Sequence, residues 1–411
     1  MKLNSILKPL AAQIAALFLL TNAHAETQPP TLEQSPTPNV LFESPEHQNI
    51  GASITLQTST GSRVKGDKLV VMPLITDRGK SLQLTFADMI WLSGDYIGEP
   101  DISVGRSRKE SDFQRDVDSY KRYKGYIPDV IGHYQELLDY VKDELKSGKP
   151  LEISEVFDRR FNGATGGLGY GSISPPDDGP DQGMRGLYLQ LATYDYDHFG
   201  EDATQAYLVG HGLALKLASK ATNENELLYA YAVEGYADHF MTDTFAAGHI
   251  RTPRKELQIA CENLSPGFWA GIFANEDEER AMLAKLMHDH DGEKGLTMVN
   301  GRGEKWVAEG DKHFFTSDNS ENRQRVIAAV QLSADQIYTA YKTRNPDLDA
   351  NKAAMLQILP DFKATRRANL KSRPPIFDAT YNDARTYVTV QVDKDHQDKA
   401  RCTTVRVPEG F

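Results

Sequence analysis

GYADHFMTDTFAAGHIRTPR, residues 235–254, is the stretch on which the reading of the chain turns. It closes a run of small and apolar residues over 223–248 (NENELLYAYAVEGYADHFMTDTFAAG) whose periodicity predicts a long buried helix. Residues four apart on a helix lie about 40° apart around the axis, so His239 and Asp243 share a face. On a continuous helix His249 falls about 80° off that face. Gly248, of the residue type favoured just past a helix end, is expected to turn the chain and swing His249 back. Imidazoles and carboxylates taken out of water cost free energy unless something pairs with them. A metal ion would satisfy all three. The competing reading is a polar helix edge, solvated or paired with neighbours; the joint spacing His-x3-Asp-x5-His weighs against it.

Helical periodicity continues on both sides of this segment. LTFADMIWLSG (84–94), SDFQRDVDSYKRY (111–123), YIPDVIGHYQELLDYVKDELKSG (126–148), GMRGLYLQLATYDYDHF (183–199), EDATQAYLVGHGLALKLASKA (201–221) and NEDEERAMLAKLMHDHDG (275–292) place apolar residues three or four apart. Two further helices are expected at 320–343 and 351–365. The β signals are local: a β-prone section at 53–75, a hairpin at 295–311 turning at Asn300-Gly301, and alternation over 386–407. The predicted fold is therefore mainly α, with small β-hairpin additions and a C-terminal β segment. The glycine- and proline-dense loop at 161–183 has no strand before it, which argues against a dinucleotide site and leaves it as a candidate border of a substrate cleft.

Residues 1–25 combine Lys2 and Lys8, an apolar stretch from Leu10 to Leu20 and small residues at Ala23 and Ala25. This is the pattern of a Sec-type export signal, too short to be a permanent anchor, and no later run is long enough to span a bilayer. The expected organisation is a signal peptide at 1–25, a flexible leader at 26–45, a helical catalytic domain at 46–370 and a β-hairpin extension at 371–411. The formal charge of −12 loses two lysines and no acid with the signal, leaving −14. Nucleic-acid affinity rests on neutralising phosphates with Lys and Arg, so a polyanion is not expected as the main partner. Cys261 and Cys402 are the two cysteines; in an oxidising compartment they can form one disulfide or stay apart.

The segment His239-Phe240-Met241-Thr242-Asp243 through His249, with Asp197-His198-Phe199 upstream and the stretches LSGDYIG, YDYDHFGEDA and MHDHDGEKGL, resembles the bacterial secreted zinc-dependent phospholipases C and the related single-strand zinc nucleases. That resemblance implies a helical body holding two or three zinc ions. One ion would take His198, His239 and Asp243. A second would take His249, His288 and an acid, for which Asp291 is the first choice, with Asp289 and His290 behind it, because the family position itself is Gly292 here. A third would share Asp243 and take His47, which otherwise reads as a solvated histidine beside the leader. Asp95 would stand near the attacking water; its other reading is a helix-end carboxylate beside Gly94. His211 reads as a core or supporting histidine, and Asp311 as a turn residue.

Nitrogen and carboxylate donors suit zinc, which lowers the pKa of water toward about 7 and so serves phosphodiester hydrolysis. The implied function is an exported zinc metallophospholipase C acting transiently at phospholipid surfaces, phosphatidylcholine above all. Tyr170, Tyr194, Tyr196 and Trp269 are available for a cationic head group, although core packing accounts for most aromatics. The alternatives are a zinc-dependent single-strand nuclease or nucleotidase, and an exported zinc-binding protein without catalysis.

Overall fold

Asn223 starts the helix around which the rest is arranged, its side chain accepting the Glu226 N–H at 3.1 Å. That helix, α5 (Glu224–Asp243), is buried on every side from Ala230 to Asp243. In this computed structural model the described residues are 43–99, 109–128, 130–132, 191, 196–252, 254, 284, 287–310, 316–373 and the strand positions 387–391 and 401–405. All lie in the compact unit Asn39–Phe411. In chain order they form α1 (Glu43–Ser53), β1 (Thr55–Gln57), β2 (Arg63–Lys65), β3 (Val70–Ile75), β4 (Ser81–Thr85), α2 (Phe86–Leu92), α3 (Glu110–Arg122), a 3-10 turn (Tyr196–His198), α4 (Gly200–Lys220) and α5. After these come α6 (Ala247–Arg251), a helical stretch at 287–294, β5 (Leu296–Val299), β6 (Lys305–Ala308), α7 (Ser320–Thr343), α8 (Leu348–Ile358), α9 (Phe362–Asn369), β7 (Tyr387–Gln391) and β8 (Arg401–Val405). The protein is mainly helical, and its strands pair only two by two in antiparallel ladders.

α5 packs against α4, α2 and α7, with α1 and β3 also touching it. Close approach is achieved with small residues: a Cβ on Gly210 would lie 2.7 Å from the Ala237 Cβ, and one on Gly235 would lie 2.8 Å from the Met89 Cβ. α2 begins with a reciprocal capping box, Asp88 N–H to Thr85 Oγ1 at 3.2 Å and Thr85 N–H to Asp88 Oδ2 at 2.9 Å. It buries Phe86, Met89, Ile90 and Trp91, packs on both α1 and α5, and is capped at Ser93, ahead of a left-handed Gly94 (φ +74). These contacts fix where the loop carrying Asp95 meets the C-terminal end of α5.

Several local expectations change. The helix of 223–248 stops at Asp243; the chain turns at Thr244–Phe245 and re-enters helix at Ala247, so Gly248 lies inside α6 and is not a C-terminal cap. Its missing side chain has another use, since a Cβ there would stand 2.5 Å from His288 Cδ2. The hairpin β5–β6 pairs Val299 with Lys305, so its connection is longer than a two-residue Asn-Gly turn. The Asn300 side chain instead accepts the Arg302 and Glu304 N–H groups, and Gly303 takes the positive φ. The helix expected at 351–365 is two helices, α8 and α9, separated at Leu359-Pro360, where proline cannot continue the ladder. α1 overlaps the end of the expected leader; its apolar residues form no stripe, so periodicity did not announce it. Among the described residues no helix is long and apolar enough to cross a membrane. The N-terminal export segment, the loop 161–183, residues 133–148, Tyr170, Tyr194, Trp269, Asp311 and Cys261 lie outside the described residues.

Candidate metal centre

The last turns of α5 point His239 and Asp243 into a space also reached by His47 from α1, Asp95 from the loop after α2, and His198 from the 3-10 turn before α4. Asp243 is the hub. Its Oδ2 lies 2.9 Å from His198 Nδ1 and 3.7 Å from His239 Nε2, and its Oδ1 lies 3.4 Å from His47 Nε2 and 3.7 Å from His249 Nδ1. The Asp95 Oδ1 stands 3.8 Å from His198 Nδ1 and 3.9 Å from His239 Nε2. Two sets of donors, His47/His239/Asp243 and Asp95/His198/His239, each fall within 4.8 Å of one another, the spread a single ion spans.

Hydrogen bonds on the far side of each ring set which nitrogen faces the centre. His239 Nδ1 donates to the Ile90 carbonyl at 2.8 Å, leaving the Nε2 lone pair inward. Thr242 donates its hydroxyl to the His239 carbonyl at 2.7 Å, so it accepts from His47 Nδ1 at 2.7 Å and turns that Nε2 inward as well. Such backbone and hydroxyl partners hold metal-binding imidazoles in one tautomer and orientation. Because His239 has one lone pair available and belongs to both donor sets, at most one ion can take it. The five residues therefore offer donors that could hold one or two ions, His239 serving only one of them.

The charge states of Asp243 and His239 suit a cation, while His198 must give up a proton to bind one. Burial works against ionisation of Asp243, but His249, His239 and His198 around it hold its carboxyl well below the usual carboxylate range. Burial drives His239 well below the ordinary imidazole value, and the neighbouring His47 and His198 add to this against the pull of Asp243. Burial also opposes protonation of His198, yet the charge of Asp243 beside it pushes its pKa up to about 10. An ionised carboxylate among imidazoles is a donor set for a divalent ion of the zinc class. Asp243 Oδ2 is buried, and the nitrogen nearest to it, His198 Nδ1 at 2.9 Å, also lies 3.1 Å from His239 Nε2, so one ring nitrogen is shared between two inward-facing acceptors. A buried carboxylate whose surrounding imidazoles cannot all donate to it costs free energy. A metal ion among these donors removes that penalty, so the residues fit the group.

The remaining expected ligands sort into two groups. His249 and His288 meet edge to face with ring centroids 4.7 Å apart, and His249 stacks on Phe199 at 4.7 Å. His249 Nδ1 donates to the His198 carbonyl at 2.9 Å, and His288 Nδ1 lies 3.0 Å from Asp289 Oδ1, so Asp289 supports the ring. Asp291 is not brought to this pair as a free acid. Both of its oxygens are held by the Arg251 guanidinium, at 2.5 and 2.6 Å, and the same guanidinium donates to the Arg373 carbonyl at 2.7 Å. A bidentate guanidinium outcompetes a weaker contact for a buried carboxylate; the arginine lies forty residues away, so spacing around Asp291 gave no sign of it. His290 Nδ1 lies 3.4 Å from Asp291 Oδ1, on the same clamp.

His211 stands apart from the cluster, buried between helices with its Nδ1 2.8 Å from Glu234 Oε1. Ser333 donates to the same Glu234 oxygen and lies 2.9 Å from the Tyr207 hydroxyl, tying α4, α5 and α7 together. Tyr196 is buried with the Arg254 guanidinium 5.7 Å from its ring centroid, a packing position. Gly94, Thr242 and Arg251 are contributors that sequence reasoning passed over. Gly94 follows the end of α2 as an ordinary stop signal would, and only the folded chain shows the rings of His198 and His239 packed on it. A narrow recess opens beside His47, lined by Glu46, Thr242, Phe245, Ala246 and Glu309 among others. The chain matches no protein-family model, no curated protein and no solved structure.

Proposed function

We propose that this protein is an exported zinc-dependent phosphodiester hydrolase that cleaves phospholipids, phosphatidylcholine foremost, into diacylglycerol and a phosphorylated head group. The observation that carries this reading is Asp243: an ionised, buried carboxylate whose two oxygens face different imidazoles. His47, His198, His239 and Asp243 would hold the ion, with the His249–His288 pair alongside. When bound, zinc supplies positive charge that lowers the pKa of water toward about 7 and draws charge from a phosphodiester. Asp95 is the member of the cluster that meets solvent, its side chain 28 % exposed. From there its carboxylate can orient a water molecule and accept its proton. His239, neutral and anchored on the Ile90 carbonyl, and Asp243, kept ionised, need no rearrangement before reaction.

The test is zinc content and hydrolysis of phosphatidylcholine and of single-stranded DNA by the purified protein, with His239→Ala and Asp95→Asn beside it. Zinc-dependent release of diacylglycerol is expected, lost with the metal in His239→Ala and lost with zinc retained in Asp95→Asn. Hydrolysis of DNA alone would make the protein a nuclease. Tightly held zinc with neither activity would make it a binding protein.

A further inference from the structure

The segment of α9 and the residues just after it carry a charge pattern unlike the rest of this acidic chain. From Lys363 to Arg373 the sequence KATRRANLKSR holds five Lys or Arg and no acid, against a net charge of −12 overall. At about 100° per residue, Arg366, Leu370, Lys363, Arg367 and Lys371 fall in one arc of about 140°, while Thr365 and Asn369 fall on the opposite side. Burial follows that division. Thr365 and Asn369 are fully buried, whereas Leu370 is 46 % exposed in the middle of the basic arc.

The inner face cannot roll outward, because it is hydrogen-bonded to strand β5. Val299 N–H donates to Thr365 Oγ1 at 3.0 Å and Thr297 N–H to Asn369 Oδ1 at 2.9 Å. Both ends of the segment are tied to the metal centre. Phe362 packs on Gly200, two residues after His198, where a Cβ would meet its ring at 3.3 Å. At the other end the Arg373 carbonyl accepts from Arg251, two residues after His249. Lys363 is shared with Glu201 at 3.0 Å; among the described residues Arg366, Arg367 and Lys371 face no acid.

We propose that this basic face is a docking surface for anionic phospholipid membranes, seated on the His198 and His249 side of the metal centre. The inference rests on the phospholipase reading for its purpose, but its chemistry is independent of it. Basic side chains meet lipid phosphates while their stems and Leu370 reach the acyl boundary, the division of labour of an interfacial helix. An exposed leucine in the centre of the arc favours a lipid surface over a nucleic acid, which offers it no apolar contact. The negative charge elsewhere on the chain is repelled by the same membrane, so this face is presented to it.

The experiment is co-sedimentation of the zinc-bound full chain with vesicles of phosphatidylcholine alone and with about 30 mol% phosphatidylglycerol, at low and high salt. Binding to the anionic vesicles, released by salt, is expected. Each basic residue near such a surface is worth roughly fivefold, so the triple variant Arg366→Glu/Arg367→Glu/Lys371→Glu binds at least about 100-fold more weakly. Leu370→Ser weakens vesicle binding severalfold. Both variants retain hydrolysis of a monomeric short-chain phosphatidylcholine. Wild-type-like sedimentation of the triple variant overturns the proposal, as does preference for single-stranded DNA with Leu370→Ser unaffected. If α9-dependent vesicle binding persists while no short-chain lipid is hydrolysed, the docking surface stands and the phospholipase reading falls.

Discussion

Gly94 offers a test that separates backbone conformation from the geometry of the candidate metal centre. It adopts φ +74, and a Cβ placed there would stand 2.7 Å from His198 Cε1, 2.8 Å from His198 Nε2 and 2.9 Å from His239 Cδ2, where ordinary contact begins at 3.4 Å. Gly94→Ala therefore drives the His198 and His239 rings back by roughly half an ångström. A residue with a Cβ in the left-handed region costs about 1–2 kcal/mol, and overpacking a well-filled site costs about 1–3 more, for a total of about 2–5 kcal/mol. Gly79 supplies the control: its φ is +72, but nothing lies within 4 Å of a Cβ there. Gly79→Ala should lose only the conformational part, about 1–2 kcal/mol. Urea unfolding of the two metal-free variants measures the difference, and chelator competition measures zinc affinity. Gly94→Ala should bind zinc at least about tenfold more weakly, while Gly79→Ala binds as the wild type does. If the two variants are equally destabilised and bind zinc equally well, the rings are not wedged on Gly94 and the centre is not built as described.

His198, with its pKa raised to about 10 by Asp243 against the effect of burial, should carry a proton in the metal-free protein at neutral pH. Its folded value lies above the unfolded one near 6.5, so its contribution to stability is complete below about pH 6.5 and is lost as pH rises toward 10. Zinc uptake should accordingly release about one proton at pH 7, seen by calorimetry in buffers of different ionisation enthalpy and absent in His198→Ala. Arg251→Met leaves Asp291 buried without its guanidinium and should cost about 3–5 kcal/mol in urea unfolding with zinc content unchanged; loss of zinc in Asp291→Asn but not in Arg251→Met would return Asp291 to the ligand set. Glu234→Leu strands His211 and Ser333 in the interior and should cost about 2–5 kcal/mol, whereas Glu234→Gln keeps an acceptor and should cost less than half of that. Equal losses would show that the helix tie does not depend on that acceptor.

The mainly helical class was legible because the chain repeats its apolar residues at helical spacing, and period and cap are local properties. Thr85 with Asp88 and Asn223 with Glu226 mark helix starts that any reader of the chain can place. The shared face of His239 and Asp243 follows from 3.6 residues per turn alone. Elsewhere only the tertiary structure decided. It brought His47 to Thr242 across 195 residues, gave Asp291 to Arg251, and moved the role of Gly248 from ending a helix to making room for His288. It also split the helix expected at 351–365 and lengthened the turn at Asn300, where side-chain hydrogen bonds overrode the Asn-Gly signal. Local spacing specifies which face of an element is apolar or polar. Which partner that face meets, and which of several charged groups wins a buried carboxylate, is settled by packing and by competition among groups distant in the chain.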